Sequence, residues 1–242
     1  MALSLRQKIM IASLVPYWIV LFIFAHRPIP EWMYKAEVSD KWLHFLAYLI
    51  LVFLLWFSIS PERKVNWRRA IVWWVVLGLA LYGGVDEVVQ DYVGRTCDIM
   101  DFLANLAGIF AGLVIFSFVT FWPALLVVTA VTVFGLTNLA KANIAELLPV
   151  TDAVFHFVAY VCLTLLWIRF MKLYLMLKAG KIGWLMVALG MPLGFLFMVK
   201  LSSVILGRYS QPRDILIAAS AILVVAGTAQ AAAIFRRKGR QV

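Results

Sequence analysis

The sequence is poor in charge, in cysteine and in histidine. Only 14% of its 242 residues are charged and 64% are hydrophobic, whereas soluble domains are about a quarter charged. The composition therefore excludes an ordinary soluble domain. The two cysteines, Cys97 and Cys162, are too few for a disulfide framework. The chain also has no His-Glu-x-x-His pattern, no phosphate-binding Gly-Lys loop and no serine nucleophile elbow, so nothing in it indicates an ATP-driven pump.

Long apolar runs fill most of the chain, and the mean hydropathy is +0.95. Several runs reach the ~18–20 residues that a helix needs to cross a bilayer core. They do not alternate as barrel strands do. We therefore predict an all-α polytopic membrane protein with about eight transmembrane helices, at residues 9–25, 41–59, 70–93, 98–119, 122–139, 152–171, 182–206 and 214–235.

A short motif occurs twice. Residues 40–48 read DKWLHFLAY and residues 152–160 read DAVFHFVAY. This predicts two four-helix repeats, residues 1–119 and 120–242, which share one orientation because four is an even number of crossings. The second repeat is degenerate, since Ser202 and Ser203 stand near the positions of Asp86 and Glu87, and Ile217 near that of Asp101. The first repeat is the better candidate for a site.

Basic residues concentrate in alternate connections, including the N-terminal segment, residues 61–69 and the C-terminal tail. The positive-inside rule then places both termini in the cytoplasm and the polar ends of the helices at the periplasm or exterior. The net charge of +10 is explained by these loops and by anionic lipid rather than by nucleic acid.

Polar residues follow helical spacing on three predicted helices, at one membrane face. Charges at this depth are costly, at roughly 2.5–3.5 kcal/mol each on insertion scales, so we expect these side chains to converge and to have a use. The expected acid, base or proton-shuttling residues are Glu87, Asp101 and His44, and the expected substrate-binding residues are Arg95, Gln90, Asn105, Asp40, Asp98 and Tyr48. Arg95 is suited to a phosphate or carboxylate, and the oxygen-rich set with a histidine suits a divalent cation.

Three alternatives stay open from the residues alone. The acids and Arg95 can form a buried ion network with a purely structural role. They can also belong to a transporter in which Glu87, Asp101 and Lys200 couple transport to protons, or to a non-catalytic scaffold. The ladder Ala104, Gly108, Gly112 favours close helix packing over ligand binding.

The order of these motifs resembles the VanZ-like membrane protein family, over about residues 35–119. The resemblance rests on Asp40-Lys41-x2-His44-Phe45-x2-Tyr48, on Glu87-x2-Gln90, and on Gly94-Arg95-x2-Asp98-x2-Asp101-x3-Asn105-x2-Gly108. It implies a bacterial inner-membrane protein of the cell envelope, associated with resistance to the glycopeptide teicoplanin.

Together, these arguments predict a protein that binds or processes an anionic, lipid-linked envelope intermediate at an outward-facing polar pocket. Its partner would be a membrane lipid or lipid-linked precursor. Whether it catalyses, transports or only binds stays open at this point, as do the metal and the oligomeric state.

Overall fold

The computed structural model describes residues 3–28, 30–93, 95, 97–140, 144–175, 180–208 and 211–238, and this part of the chain is helical with no strand. A π-helical turn, Met171–Leu175, continues the eighth helix. The helices are α1 (Leu5–Ala25), α2 (Glu31–Lys35), α3 (Asp40–Ile59), α4 (Ala70–Tyr92), α5 (Ile99–Phe118), α6 (Phe121–Thr137), α7 (Ile144–Leu147), α8 (Pro149–Phe170), α9 (Lys181–Ile205) and α10 (Pro212–Lys238).

Seven of the described helices are long and apolar enough to cross a membrane, which confirms a multi-pass all-α membrane protein. The exception among the eight predicted spans is α6, which has 17 residues. At 1.5 Å per residue it is about 25 Å long, short of a ~30 Å hydrocarbon core. Gly94, which belongs to the predicted turn before α5, lies outside the described residues.

The chain divides into two compact units, Met1–Gly135 and Leu136–Val242, hereafter unit 1 and unit 2. The predicted repeats, residues 1–119 and 120–242, stay a prediction. Their suggested boundary precedes α6, whereas the division into units falls near the end of that helix.

Helix α3 is the centre of unit 1, because it packs against α1, α5 and α4. Its middle is almost completely buried at Leu49, Val52, Phe53 and Phe57. By contrast, large side chains on the outer surface of α4, such as Trp73 and Trp74, are exposed, as expected for groups that face lipid.

Two glycines allow α3 and α5 to approach closely. A Cβ at Gly108 would overlap the backbone carbonyl oxygen of Phe45, and one at Gly112 would lie 2.5 Å from Cγ1 of Val52. Small residues at such positions are what permits tight helix packing where lipid competes for the same surfaces. The predicted packing role of this ladder is therefore correct for these two glycines.

The polar ends of four helices in unit 1 lie together. Helices α3 and α5 begin at this end, and α1 and α4 finish there. Asp98 caps α5, as predicted, by accepting a hydrogen bond from the Met100 N–H at 2.8 Å. Toward the other end, the facing side chains of α3 and α5 form an apolar core with Ile109, Leu113 and Phe116.

We expect Gly108→Ala to destabilise the protein by about 1–3 kcal/mol, because the added methyl group meets backbone rather than a movable side chain. Thermal unfolding of the purified chain in nanodiscs measures this as a lower midpoint. The matched control is Gly78→Ala, since a Cβ at Gly78 meets nothing within 4 Å, and replacing a helical glycine there should be neutral or stabilising. Equal midpoints for the two variants would contradict the close packing at Gly108.

Candidate functional site

The three predicted polar stripes meet at one end of unit 1. Asp40 and His44 come from the first two turns of α3, Glu87 from the end of α4, and Asp101 and Asn105 from the start of α5. Apart from Asp40, these residues are at most 9% exposed. We call them the His44 cluster. Periodicity predicted the stripes, and the contacts between helices show which members touch.

His44 lies at the centre of this cluster. Its Nδ1 is 3.0 Å from Oδ1 of Asn105, and since an amide oxygen only accepts, Nδ1 carries the proton. Nε2, which has a lone pair in the neutral imidazole, faces two carboxylates, Asp40 Oδ1 at 3.8 Å and Asp101 Oδ2 at 3.9 Å. The Asn105 contact thus orients the imidazole in the way that second-shell groups orient metal-bound histidines.

The arrangement of Asp40, His44 and Asp101 fits a divalent cation. One ligand atom from each lies within 4.8 Å of the other two. Asp40, His44 and Asp101 would then supply two oxygen donors and one nitrogen donor to the same ion. One imidazole and two carboxylates also form a donor set that suits zinc, manganese or calcium.

Lys41 was part of the sequence motif but had no predicted role. Its Nζ contacts Asp98 Oδ2 at 2.8 Å and Asp101 Oδ1 at 3.3 Å. The hydrogen bond from Lys41, followed by that from the Met100 N–H, lowers the pKa of the exposed Asp98 carboxyl below its ordinary value. Lys41 is half exposed, so it provides an ammonium at the open edge of the cluster.

Arg95 binds within the chain. Its Nη2 lies 3.2 Å and 3.3 Å from the two oxygens of Asp40, and its Nη1 donates to the carbonyl oxygen of Ala25 at 3.2 Å. The guanidinium therefore connects the end of α1 to the start of α3. Both terminal nitrogens already have acceptors, and this contact orients Asp40.

Glu87 is 3% exposed. Its Oε2 accepts from the Asp98 N–H at 3.4 Å, and its Oε1 lies 3.7 Å from His44 Nδ1 without a hydrogen-bond partner. Tyr48 lies one turn deeper on α3, where its hydroxyl also has no hydrogen-bond partner. A Cβ at Gly83 would be 3.2 Å from that hydroxyl and 3.4 Å from Asn105 Nδ2, so the glycine leaves room for both groups.

Gln90 is turned away from His44 toward a neighbouring group that sequence reasoning largely missed. Its Nε2 donates to Asp86 Oδ2 at 3.1 Å. The other carboxylate oxygen, Oδ1, lies 3.6 Å from Nε2 of His26, just after α1. The signal for His26 was available: it follows α1 at the same membrane face as the stripes, but it belongs to no periodic pattern.

Unit 2 contains a smaller cluster of the same residue types. One ligand atom each from Asp152, His156 and Asp214 lies within 4.8 Å of the other two. Asp214 is the third residue of α10, and Asp101 is the third residue of α5, whereas the sequence comparison had set Ile217 near Asp101. Lys200 Nζ lies 3.6 Å from Asp214 and Arg213 Nη2 lies 3.5 Å from Asp152, so this cluster includes its own cations.

The fold and the site define a class: a multi-pass helical membrane protein with a buried carboxylate–histidine cluster at one end of a helix bundle. Residues 3–120 match the VanZ/LLP1 family. This segment is VanZ-like, and it contains the whole His44 cluster. No curated protein and no solved structure matches the chain.

We expect Lys41→Met to raise the pKa of Asp98 toward its ordinary value of about 3.9, because the variant removes the first cause of the lowering. In the native protein, the contribution of this pair to stability is present above pH ~3.9 and is lost as the pH falls through the lowered pKa. Titration of the Asp98 carboxyl carbon by NMR measures the pKa of Asp98 in the native protein and in the variant.

The control for this titration is Lys35→Met, which removes a lysine paired with Glu31 on α2. It should leave Asp98 unchanged. An unchanged Asp98 pKa in Lys41→Met would instead assign the lowering to the Met100 N–H.

Proposed function

We propose that unit 1 binds the phosphate of an anionic, lipid-linked cell-envelope intermediate through a divalent cation held by Asp40, His44 and Asp101. The supporting observation is the convergence of these three side chains, with Nε2 of His44 facing Asp40 and Asp101. In this proposal the protein is in the bacterial inner membrane, with both termini cytoplasmic and the cluster facing outward.

Charge balance favours a bound cation over direct anion binding. Four carboxylates contact His44 or the two cations Lys41 and Arg95, and they outnumber those cations; they are Asp40, Glu87, Asp98 and Asp101. A buried excess of negative charge repels an anion and is stabilised by a metal ion. A divalent ion would reverse the local charge and let a phosphate approach.

Lys41 and Arg95 then have different roles. Lys41 is half exposed beside Asp101, so its ammonium can reach a phosphate bound to the cation. Arg95 was expected to contact the anion itself. Because its terminal nitrogens bind Asp40 and Ala25, we propose instead that it positions Asp40.

Access from the lipid is supported by the surface around the cluster. Trp42, Ile99 and Met100 are exposed apolar residues on the first turns of α3 and α5. Asp40 and Asp98 are each about one-third exposed at their side chains. A lipid could therefore place its chains against the apolar residues while its headgroup meets the open edge.

A transporter receives less support from unit 1. Below Tyr48 and Asn105, the facing parts of α3 and α5 are the buried apolar layer of Leu49, Val52 and Ile109. A polar path through this layer is absent from the described helices of the unit. The proposal is therefore binding, with or without turnover, at one membrane face.

Removal of a ligand should weaken cation binding. We expect Asp101→Asn and His44→Ala each to weaken Mn²⁺ binding by at least tenfold, since one of three protein ligands is lost. Electron paramagnetic resonance of the full chain in neutral-lipid nanodiscs measures free and bound Mn²⁺. Native mass spectrometry with a polyprenyl phosphate should show cation-dependent lipid binding that both variants lose.

The matched control is Asp91→Asn, which removes an exposed carboxylate from the last turns of α4. It should bind Mn²⁺ and lipid like the native protein. Cation-independent lipid binding, or native affinity in Asp101→Asn, would falsify the proposed role of the cation.

The link to glycopeptide tolerance, which the family suggests, has its own test in cells. We expect Glu87→Gln, Arg95→Ala and Asp101→Asn to reduce any teicoplanin tolerance that the native gene confers, at matched protein levels. The measurement is the minimum inhibitory concentration, with Asp91→Asn as the control. Full tolerance in all three variants would separate the His44 cluster from that phenotype.

A further inference from the structure

A second group of buried polar atoms lies beside the His44 cluster, among α1, α3 and α4. Three of these atoms have no hydrogen-bond partner: His26 Nε2, Asp86 Oδ1 and Tyr48 Oη. Asp86 is 5% and Tyr48 1% exposed. Buried polar groups in native proteins are nearly always satisfied, so this concentration indicates a place that a further group occupies.

The chemistry of that group follows from the atoms. His26 Nδ1 lies 2.8 Å from the Phe22 carbonyl oxygen, which can only accept, so Nδ1 donates and Nε2 of the neutral ring is an acceptor. Asp86 Oδ1 is 3.6 Å away, too far for a direct hydrogen bond. Two acceptors thus face each other, and one donor placed beside both would satisfy them.

Charge and aromatic rings indicate a monovalent cation rather than a second metal ion. Asp86 contributes one carboxylate, and its other oxygen is already bonded to Gln90. Tyr82 packs edge-to-face with Trp18 at 5.2 Å and lies 6.2 Å from the ring of Tyr48. Aromatic rings with a single carboxylate suit an ammonium group, which donates three hydrogen bonds and is attracted to ring faces.

We propose that His26, Asp86, Tyr48 and Tyr82 bind the primary ammonium group of a lipid headgroup. The inference rests on the proposed function and narrows its ligand to a lipid whose headgroup carries a primary amine beside the phosphate that the His44 cluster would hold. The two groups adjoin because Asp86 and Glu87 are neighbours on α4, with Asp86 directed to His26 and Glu87 to His44.

The test compares two lipids that carry the same phosphate. We expect the full chain in nanodiscs to bind short-chain phosphatidylethanolamine about tenfold more tightly than phosphatidylglycerol of equal chain length, in the presence of Mn²⁺. Asp86→Asn should reduce phosphatidylethanolamine binding to the phosphatidylglycerol level while phosphatidylglycerol and Mn²⁺ binding stay native. Tyr82→Phe, which deletes one hydroxyl, should weaken the binding of phosphatidylethanolamine by a few-fold and leave the binding of phosphatidylglycerol unchanged.

Asp91→Asn is the control for charge, because it removes a carboxylate from the exposed surface of the same helix. Soluble phosphoethanolamine separates recognition of the headgroup from contact with the lipid chains. If it competes with phosphatidylethanolamine for binding, and if Asp86→Asn and Tyr82→Phe weaken that competition, the ammonium site is supported. Competition that neither variant changes opposes it.

The outcomes distinguish this inference from the proposed function. Equal, Mn²⁺-dependent binding of both lipids would overturn the ammonium site and leave the phosphate site standing. Failure of both lipids to bind would overturn both. If Asp86→Asn does not elute as native protein, Tyr82→Phe decides: unchanged preference for phosphatidylethanolamine then contradicts the ammonium site.

Discussion

The close approach of α3 and α5 is the constraint on which the His44 cluster depends. Gly108 lies against the carbonyl oxygen of Phe45, and that contact is one residue after His44 and one turn after Asn105. At this separation His44 reaches Asn105, and Lys41 reaches Asp98 and Asp101. A larger side chain at Gly108 would separate the helices, and contacts of 3–4 Å between charged groups would be the first to be lost.

The two units balance charge in different ways. In unit 1 the carboxylates around His44 exceed the cations that contact them, whereas in unit 2 Asp152 and Asp214 pair with Arg213 and Lys200. A site that supplies its own cations has less need of a metal ion, and a buried excess of carboxylates requires a proton or a cation. The electrostatics therefore support a ligand-binding role for unit 1 more strongly than for unit 2.

Much of the fold and part of the site were predictable from residues alone. Long apolar runs must cross a bilayer as helices because no other backbone arrangement in such a chain satisfies its hydrogen bonds. Helical spacing placed Asp40 with His44, and Asp101 with Asn105, on common faces. The short length of α6 was less predictable, since its sequence is apolar beyond the residues that remain helical.

The pairing between helices was not predictable, because periodicity gives the face of a helix but neither its rotation nor its neighbour. Arg95 was expected to contact an anion, yet it lies between Asp40 and Ala25. His26 showed no pattern at all, and only the fold brings it to Asp86. Sequence alone therefore determined a helical membrane chain with polar groups gathered at one face. Tertiary structure decided which nitrogen faces which carboxylate, since charge–charge and hydrogen-bond energies depend on distances of a few ångströms that packing sets.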